Sequence, residues 1–107
     1  VLKMVATLEE WMEREFILVP STSPFDPNFE PQRYWRGPIW PHVNWMISEG
    51  LKDYGYNDLS QKIRMQTLEL ISKLGFHEYY HPLGLSGLGG SSFSWTAAIY
   101  LMWCKVE

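Results

Sequence analysis

The sequence is poor in cysteine, in charge of one sign and in long apolar runs, and each shortage closes a route. A lone Cys104 cannot form an internal disulfide, and it lies at the end of the apolar run from Ala97 to Cys104, where a buried, reduced thiol is expected. That usage demands no oxidising compartment and favours a cytoplasmic location. Nine Lys and Arg against twelve Asp and Glu give a net charge of −3. The basic residues are scattered singly, so the chain lacks the positive footprint that meets a phosphate backbone or an anionic membrane, and no nucleic-acid or membrane partner is expected. The run from Ala97 falls far short of the ~20 residues that span a bilayer. The stretch from Val1 to Phe16 is too acidic for a secretory signal. His42, His77 and His81 lack metal-ligand spacing with a carboxylate, and Gly87, Gly89 and Gly90 lack the Lys and the strand context of a phosphate loop. Ser92 and Ser94 have no partnered base in any recognisable motif. No metal and no cofactor is expected.

What is plentiful is aromatic surface. Six Trp and six Tyr in 107 residues are many for one modest domain, and such rings gather where an apolar body meets a polar partner. An interface or ligand site is the natural home for them. A domain this short does not enclose a large pocket by itself. The helical pattern is already running at Leu2, which suggests a piece of a longer chain.

Apolar spacing at Leu2, Val5, Leu8, Trp11, Met12 and Phe16 predicts an amphipathic helix over residues 2–16, with Glu9, Glu10, Glu13 and Arg14 on its solvated side. A loop rich in Pro, Ser, Asp and Asn follows from Leu18 to Pro38, long enough to suggest function. A second helix is expected over 40–54, with Val43, Met46, Ile47, Gly50, Leu51 and Tyr54 on one face. A third is expected over 58–74, capped by Asn57 or Asp58, striped by Leu59, Ile63, Thr67, Leu70 and Leu74, and ended by Gly75. Phe76 to Tyr80 reads as a brief extended segment before a turn-rich stretch. A last helix over 93–104, capped by Ser92 or Ser94 and apolar nearly all round, is expected to be buried. The four helices should pair as antiparallel hairpins, bringing the two long loops to one end.

Three blocks carry the chemistry: YWRGPIWP from Tyr34, FHEYYHP from Phe76 and GLGGSSFSWTAA from Gly87. In an extended segment Phe76, Glu78 and Tyr80 share one face and His77 and Tyr79 the other, which sets Glu78 among aromatic rings. Such settings tune carboxyl groups for proton transfer. The same spacing also fits an exposed Glu on an edge segment. Arg36, between Trp35 and Gly37, offers either a fixed guanidinium for sugar hydroxyls or a structural pair to a loop carbonyl or acid. Tyr34, Trp35 and Trp40 can present flat faces to a pyranose, although Trp at helical spacing is also core, and Trp40 and Trp45 cannot both enter one pocket. Trp40 is the expected pocket ring. The Gly-rich turn permits close backbone approach.

In this order, YWRGPIWPHVNWM, GFHEYYHP and GLGGSSFSWTAA resemble the C-terminal part of glycoside hydrolase family 63 and its mannosylglycerate hydrolase-like relatives, from about Val19 to the end. The resemblance implies an all-α fold, with residues 1–107 a C-terminal fragment of one catalytic domain. Its helical hairpins would form the C-terminal part of an (α/α)6 barrel, with one short extended segment near residues 76–80. It implies an inverting glycosidase of α-linked gluco- or manno-configured substrates, and an upstream remainder of the barrel as partner. By this resemblance Glu78 is the general base, Tyr34, Trp35, Arg36 and Trp40 bind sugar, and Phe93 and Trp95 wall the same pocket or support it; Tyr80, in the same segment as Glu78, is expected among the substrate-binding residues. The family's acid is an Asp from an earlier block that has no match here, and Asp26 and Glu30 are the acids available before YWRGP. Family members commonly read P-x-T-G-E-G where this chain has PLGLSG from Pro82, which puts the leaving-group contacts and the particular substrate in question. The non-enzymatic alternative is a small aromatic carbohydrate-binding or protein-interaction module.

Overall fold

Helical spacing becomes four helices in the computed structural model, which describes residues 1–14 and 18–105. They are α1 (Leu2–Met12), α2 (Pro41–Asp53), α3 (Asn57–Leu74) and α4 (Ser94–Cys104), with β1 (His77–Tyr80) and β2 (Gly87–Ser91) between α3 and α4. Helix α1 ends at Met12, with Glu13 as its C-cap and Arg14 in a turn, short of the expected end, while Phe16 itself lies outside the described residues. Pro41 opens α2 in its first turn, where its missing N–H costs nothing. Helices α3 and α4 start from Tyr56 and Phe93 without a side-chain cap, so the expected Asn, Asp and Ser caps are not made.

The fold is mostly helical, but not purely so. The extended segment after α3 is one strand of an antiparallel hairpin whose second strand, β2, was expected to be only turn. His77 pairs with Ser91, Tyr79 with Leu88 and Tyr80 with Gly87, so Gly89 and Gly90 together oppose Glu78 in a bulge. Ile39 adds a bridge to Tyr80 through reciprocal backbone bonds of 2.8 and 2.9 Å. That bridge brings the loop before α2 and the hairpin before α4 to one end of the molecule, as the alternation of helices predicts.

Helix α2 packs chiefly on α3 across the tight turn at Gly55, and α4 lies against both. The core joins Val5 and Leu8 of α1, Leu18 and Val19, Leu51, then Ile63, Leu70 and Ile71 of α3, Tyr80, and Ile99 and Trp103 of α4. The α3 stripe is buried as expected at Ile63, Thr67 and Leu70, with Leu59 and Leu74 half-buried at its ends and Ser60 and Ile71 buried beside it. Helix α2 is turned differently, burying Pro41, Asn44, Ser48 and Leu51 while Met46 and Tyr54 face outward. The polar pair is satisfied. Ser48 Oγ donates to the Ser60 carbonyl at 2.9 Å, and Asn44 is bonded to the Val19 backbone.

The α4 expectation is only half met. Thr96, Ile99 and Trp103 are buried, whereas Trp95, Leu101 and Met102 are exposed, and so is Cys104, whose thiol is therefore not in the core. The molecule measures 39 × 36 × 18 Å, and no described residue covers that side of α4. None of its described helices is long and apolar enough to cross a membrane.

Candidate active site

The loop from residue 18 to 40 closes on itself at its base. Ser21 N–H donates to the Pro38 carbonyl at 3.1 Å, and Gly37 N–H donates to Ser21 Oγ at 3.1 Å. A Cβ on Gly37 would run into the backbone of Glu30 and Pro31, so only glycine allows this closure. Thr22 Oγ1 then holds the Trp35 carbonyl at 2.9 Å, and Trp40 Nε1 donates to the Tyr34 carbonyl at 2.9 Å. Tyr34 sits at φ +39, a conformation that a bulky residue adopts only when its surroundings impose it. The result is a rigid mount for two exposed rings.

Those rings belong to one aromatic cluster. Trp35 stacks on Trp40 at 3.8 Å between ring centroids, and Trp40 stacks on Tyr79 at 4.9 Å. Tyr34 meets Trp40 and Tyr79 edge-on at 4.9 and 5.7 Å. His42, on the first turn of α2, contacts Trp35, Trp40 and Trp95, and Trp95 contacts Phe93. The cluster thus gathers Tyr34, Trp35 and Trp40, then Tyr79, then Phe93 and Trp95 from the three separate blocks. Trp40 is only 2% exposed and backs its neighbours, so the expected pocket ring offers no free face here, while Tyr34, Trp35 and Trp95 are 48, 43 and 56% exposed.

Tyr80 departs from its expected role. It is fully buried; its hydroxyl donates to the Gly75 carbonyl and accepts from His77 N–H at 3.0 Å, and burial pushes the phenol above its ordinary pKa. Tyr79 takes the position facing the other rings. Phe76 goes to Tyr100, at 5.6 Å, and stays 40% exposed, so of the rings expected to flank Glu78, Tyr80 serves the core and Phe76 turns to α4. Alternation along β1 still holds, since Tyr79 and Tyr80 point to opposite sides, and it is the side carrying Tyr80 that turns to the core.

Glu78 is half-buried, and its carboxylate turns toward the bulge, where Gly90 N–H donates to Oε1 at 3.1 Å. Phe93 borders the same glycine. Arg36 is exposed, and its guanidinium makes no ion pair among the described residues, which does not fit the structural pairing held open from sequence. The two alternative acids are engaged locally: Asp26 Oδ1 accepts from Asn28 N–H at 2.7 Å, and Glu30 pairs with Arg33 at 3.3 Å. No group of three or more metal-ligating side chains occurs among the described residues. Clefts of about 300 and 270 Å³ lie on the flanks of α3, and one of about 440 Å³ lies by the α2–α3 turn; none includes the cluster or Glu78. The site is an open platform.

His42 is the ring that sequence reasoning passed over, having been weighed only as a metal ligand. Burial against the indoles holds its imidazole below the ordinary value of 6.5. The unfolded chain therefore binds the proton more readily, so the stability His42 contributes is fully present above about pH 6.5 and is lost as pH falls through the lowered folded value. Denaturant titrations between pH 7 and 5 are expected to show a destabilisation on acidification that is smaller in His42→Phe; equal slopes in the two proteins would refute it.

A family model described as the mannosylglycerate hydrolase MGH1-like glycoside hydrolase domain matches residues 2–96. The chain is 48% identical over 97 residues to the mannosylglycerate hydrolase of Thermus thermophilus, an overlap covering 91% of this chain and 23% of that protein. It is 52% identical over 97 residues to mannosylglycerate hydrolase MGH1 of Selaginella moellendorffii, with 91% and 20% covered. A crystal structure of the GH63 mannosylglycerate hydrolase from Thermus thermophilus in complex with glucose superposes with a TM-score of 0.91 at 46% identity, over 95% of this chain and 26% of that one. The chain thus spans about a fifth to a quarter of the length of these relatives. With the match running through α1, the aromatic loop, both strands and into α4, the chain belongs to the family of mannosylglycerate hydrolase MGH1-like glycoside hydrolase domains.

Proposed function

We propose that this chain is one part of an inverting α-glycoside hydrolase and supplies the general-base half of its site. In this reading residues 1–107 form the C-terminal part of an (α/α)6 barrel, and the substrate is an α-linked manno- or gluco-configured sugar carried on a small hydroxy acid such as glycerate. The observation that carries the reading is the Glu78 carboxylate, held by the Gly90 N–H between the bulge and Phe93 at the end of the molecule where the aromatic platform lies. Glu78 takes a proton from water as the water oxygen attacks the anomeric carbon. The bond to the leaving oxygen breaks on the opposite face, and that oxygen takes its proton from a second carboxyl group roughly 6.5–9.5 Å from the first. That acid would come from elsewhere in the domain.

The exposed faces of Tyr34, Trp35 and Trp95, with Phe93 beside them, would pack on the C–H face of the sugar, and the Arg36 guanidinium, which has no ion pair among the described residues, would hold its hydroxyls. Trp40 and Tyr79 support these rings. The apolar surface on α1 and α4, including Leu2, Leu101 and Met102, is what an adjoining part of the barrel would cover. The experiment is hydrolysis of α-mannosylglycerate and α-glucosylglycerate by the complete protein carrying these residues, with the first-formed anomer followed by NMR. The β-anomer is expected first. An α-anomer formed first excludes the inverting water mechanism.

A further inference from the structure

Glu78 does not find its orientation unaided. Opposite it, β2 carries one residue more than β1, and the extra residue is accommodated by Gly89 at φ +69, the backbone region that side-chain-bearing residues avoid. This twist turns the next amide, Gly90 N–H, onto Glu78 Oε1 at 3.1 Å. A Cβ on Gly89 would fall 2.7 Å from Glu78 Oε1, 2.9 Å from Glu78 Cβ and 2.5 Å from Tyr79 Cε1, so the space the glycine leaves empty is the space the carboxylate occupies. Oε2 has no bond to any described residue.

We infer that the Gly89–Gly90 bulge is a positioning element for Glu78: it fixes the rotamer of the carboxylate by occupying Oε1 and leaves Oε2 as the oxygen that receives the proton of the attacking water. This deepens the assignment of Glu78 as general base and rests on it. The geometry also explains the direction of Tyr79, whose ring lies against the same missing Cβ while stacking on Trp40. One bulge therefore sets both the base and a ring of the platform.

A substitution at Gly89 should disturb the chemical step and not substrate capture, provided that backbone strain is separated from contact. Gly89→Asn suits this, because Asn tolerates positive φ better than other side chains while its Cβ still enters the carboxylate's space. Gly55→Ala is the strain control, since Gly55 has φ +85 in the α2–α3 turn with nothing within 4 Å of an added Cβ. Steady-state kinetics and binding of an unreactive substrate analogue would be measured on the complete protein. Gly89→Asn is expected to lose at least about tenfold in kcat with the analogue's Kd changed less than about threefold, at full occupancy of the folded state by circular dichroism. Gly55→Ala is expected to lose stability and keep kcat.

Wild-type kcat in Gly89→Asn together with an inactive Glu78→Gln overturns the positioning role and leaves the base assignment standing. A Glu78→Gln protein that retains kcat overturns the base assignment, and the positioning role with it. Should Gly89→Asn fold poorly, Gly89→Ser at reduced temperature carries the same contact, and kcat per folded molecule equal to wild type counts against the inference.

Discussion

Glu78→Gln is expected to lower kcat of the complete protein by at least about 10²-fold, because the amide keeps the shape of the side chain and loses only its ability to accept a proton. Binding of an unreactive analogue should change little, since the rings that would hold the sugar, Tyr34, Trp35 and Trp95, do not depend on the carboxylate. A second variant makes the assignment chemical. Glu78→Ala opens room beside the attacking position, where added azide, a nucleophile that needs no base, can replace water. Its nitrogen would bond to the anomeric carbon as the bond to the leaving oxygen breaks, and that oxygen would take its proton from the intact acid. The product expected is a β-glycosyl azide from an α-linked substrate, with rate rising in azide concentration. Failure of azide to rescue Glu78→Ala, combined with more than about a tenth of wild-type kcat in Glu78→Gln, would remove Glu78 from the mechanism.

The residues of the site were easier to read in the sequence than their directions. The stripe of Ile63, Thr67 and Leu70 on α3 is legible because apolar periodicity and burial coincide there. On α2 they do not. Asn44 and Ser48 are buried because each finds backbone or side-chain partners on a neighbouring segment, a tertiary satisfaction that no periodicity encodes, and the expected apolar face is displaced accordingly. Strand β2 was passed over because its sequence, Gly87 to Ser91, has little intrinsic strand preference; it is a strand because β1 pairs with it. The exchange of Tyr80 for Tyr79 has another source, since alternation separates the two rings but does not say which of the two sides the core takes. For the bulge, the adjacent glycines Gly89 and Gly90 were the available signal. Helix α4 illustrates a different limit: its composition reports burial on all sides, whereas this chain covers only one side of it.

The platform and the core are joined through Asn44, and the second large effect is expected there. Asn44 is fully buried; its Oδ1 accepts from Val19 N–H at 3.0 Å, and its Nδ2 donates to the carbonyls of Val19 at 3.0 Å and Trp40 at 3.2 Å. One side chain thereby does for Val19 what a neighbouring strand would do, and clamps the start of the aromatic loop to the helix that begins beside Trp40. In Asn44→Ala both Val19 groups lose their partner in a site that water does not reach, at roughly 1–3 kcal/mol for each unsatisfied group. Asn44→Asp is the sharper test. It preserves volume and the acceptor for Val19 N–H, but it replaces the donor with an oxygen facing two carbonyl oxygens and buries a charge without a partner. Asn44→Asp is therefore expected to be at least as destabilising as Asn44→Ala at pH 7 and to recover in part at low pH, where the acid is protonated and can donate again. Urea titrations of the complete protein at pH 7 and pH 4.5 would measure both variants against wild type, with the acid sensitivity of the wild type subtracted. A cost below about 1 kcal/mol for both substitutions would mean that Val19 finds other partners and that the loop is held by its apolar contacts at Leu18 and Val19 alone.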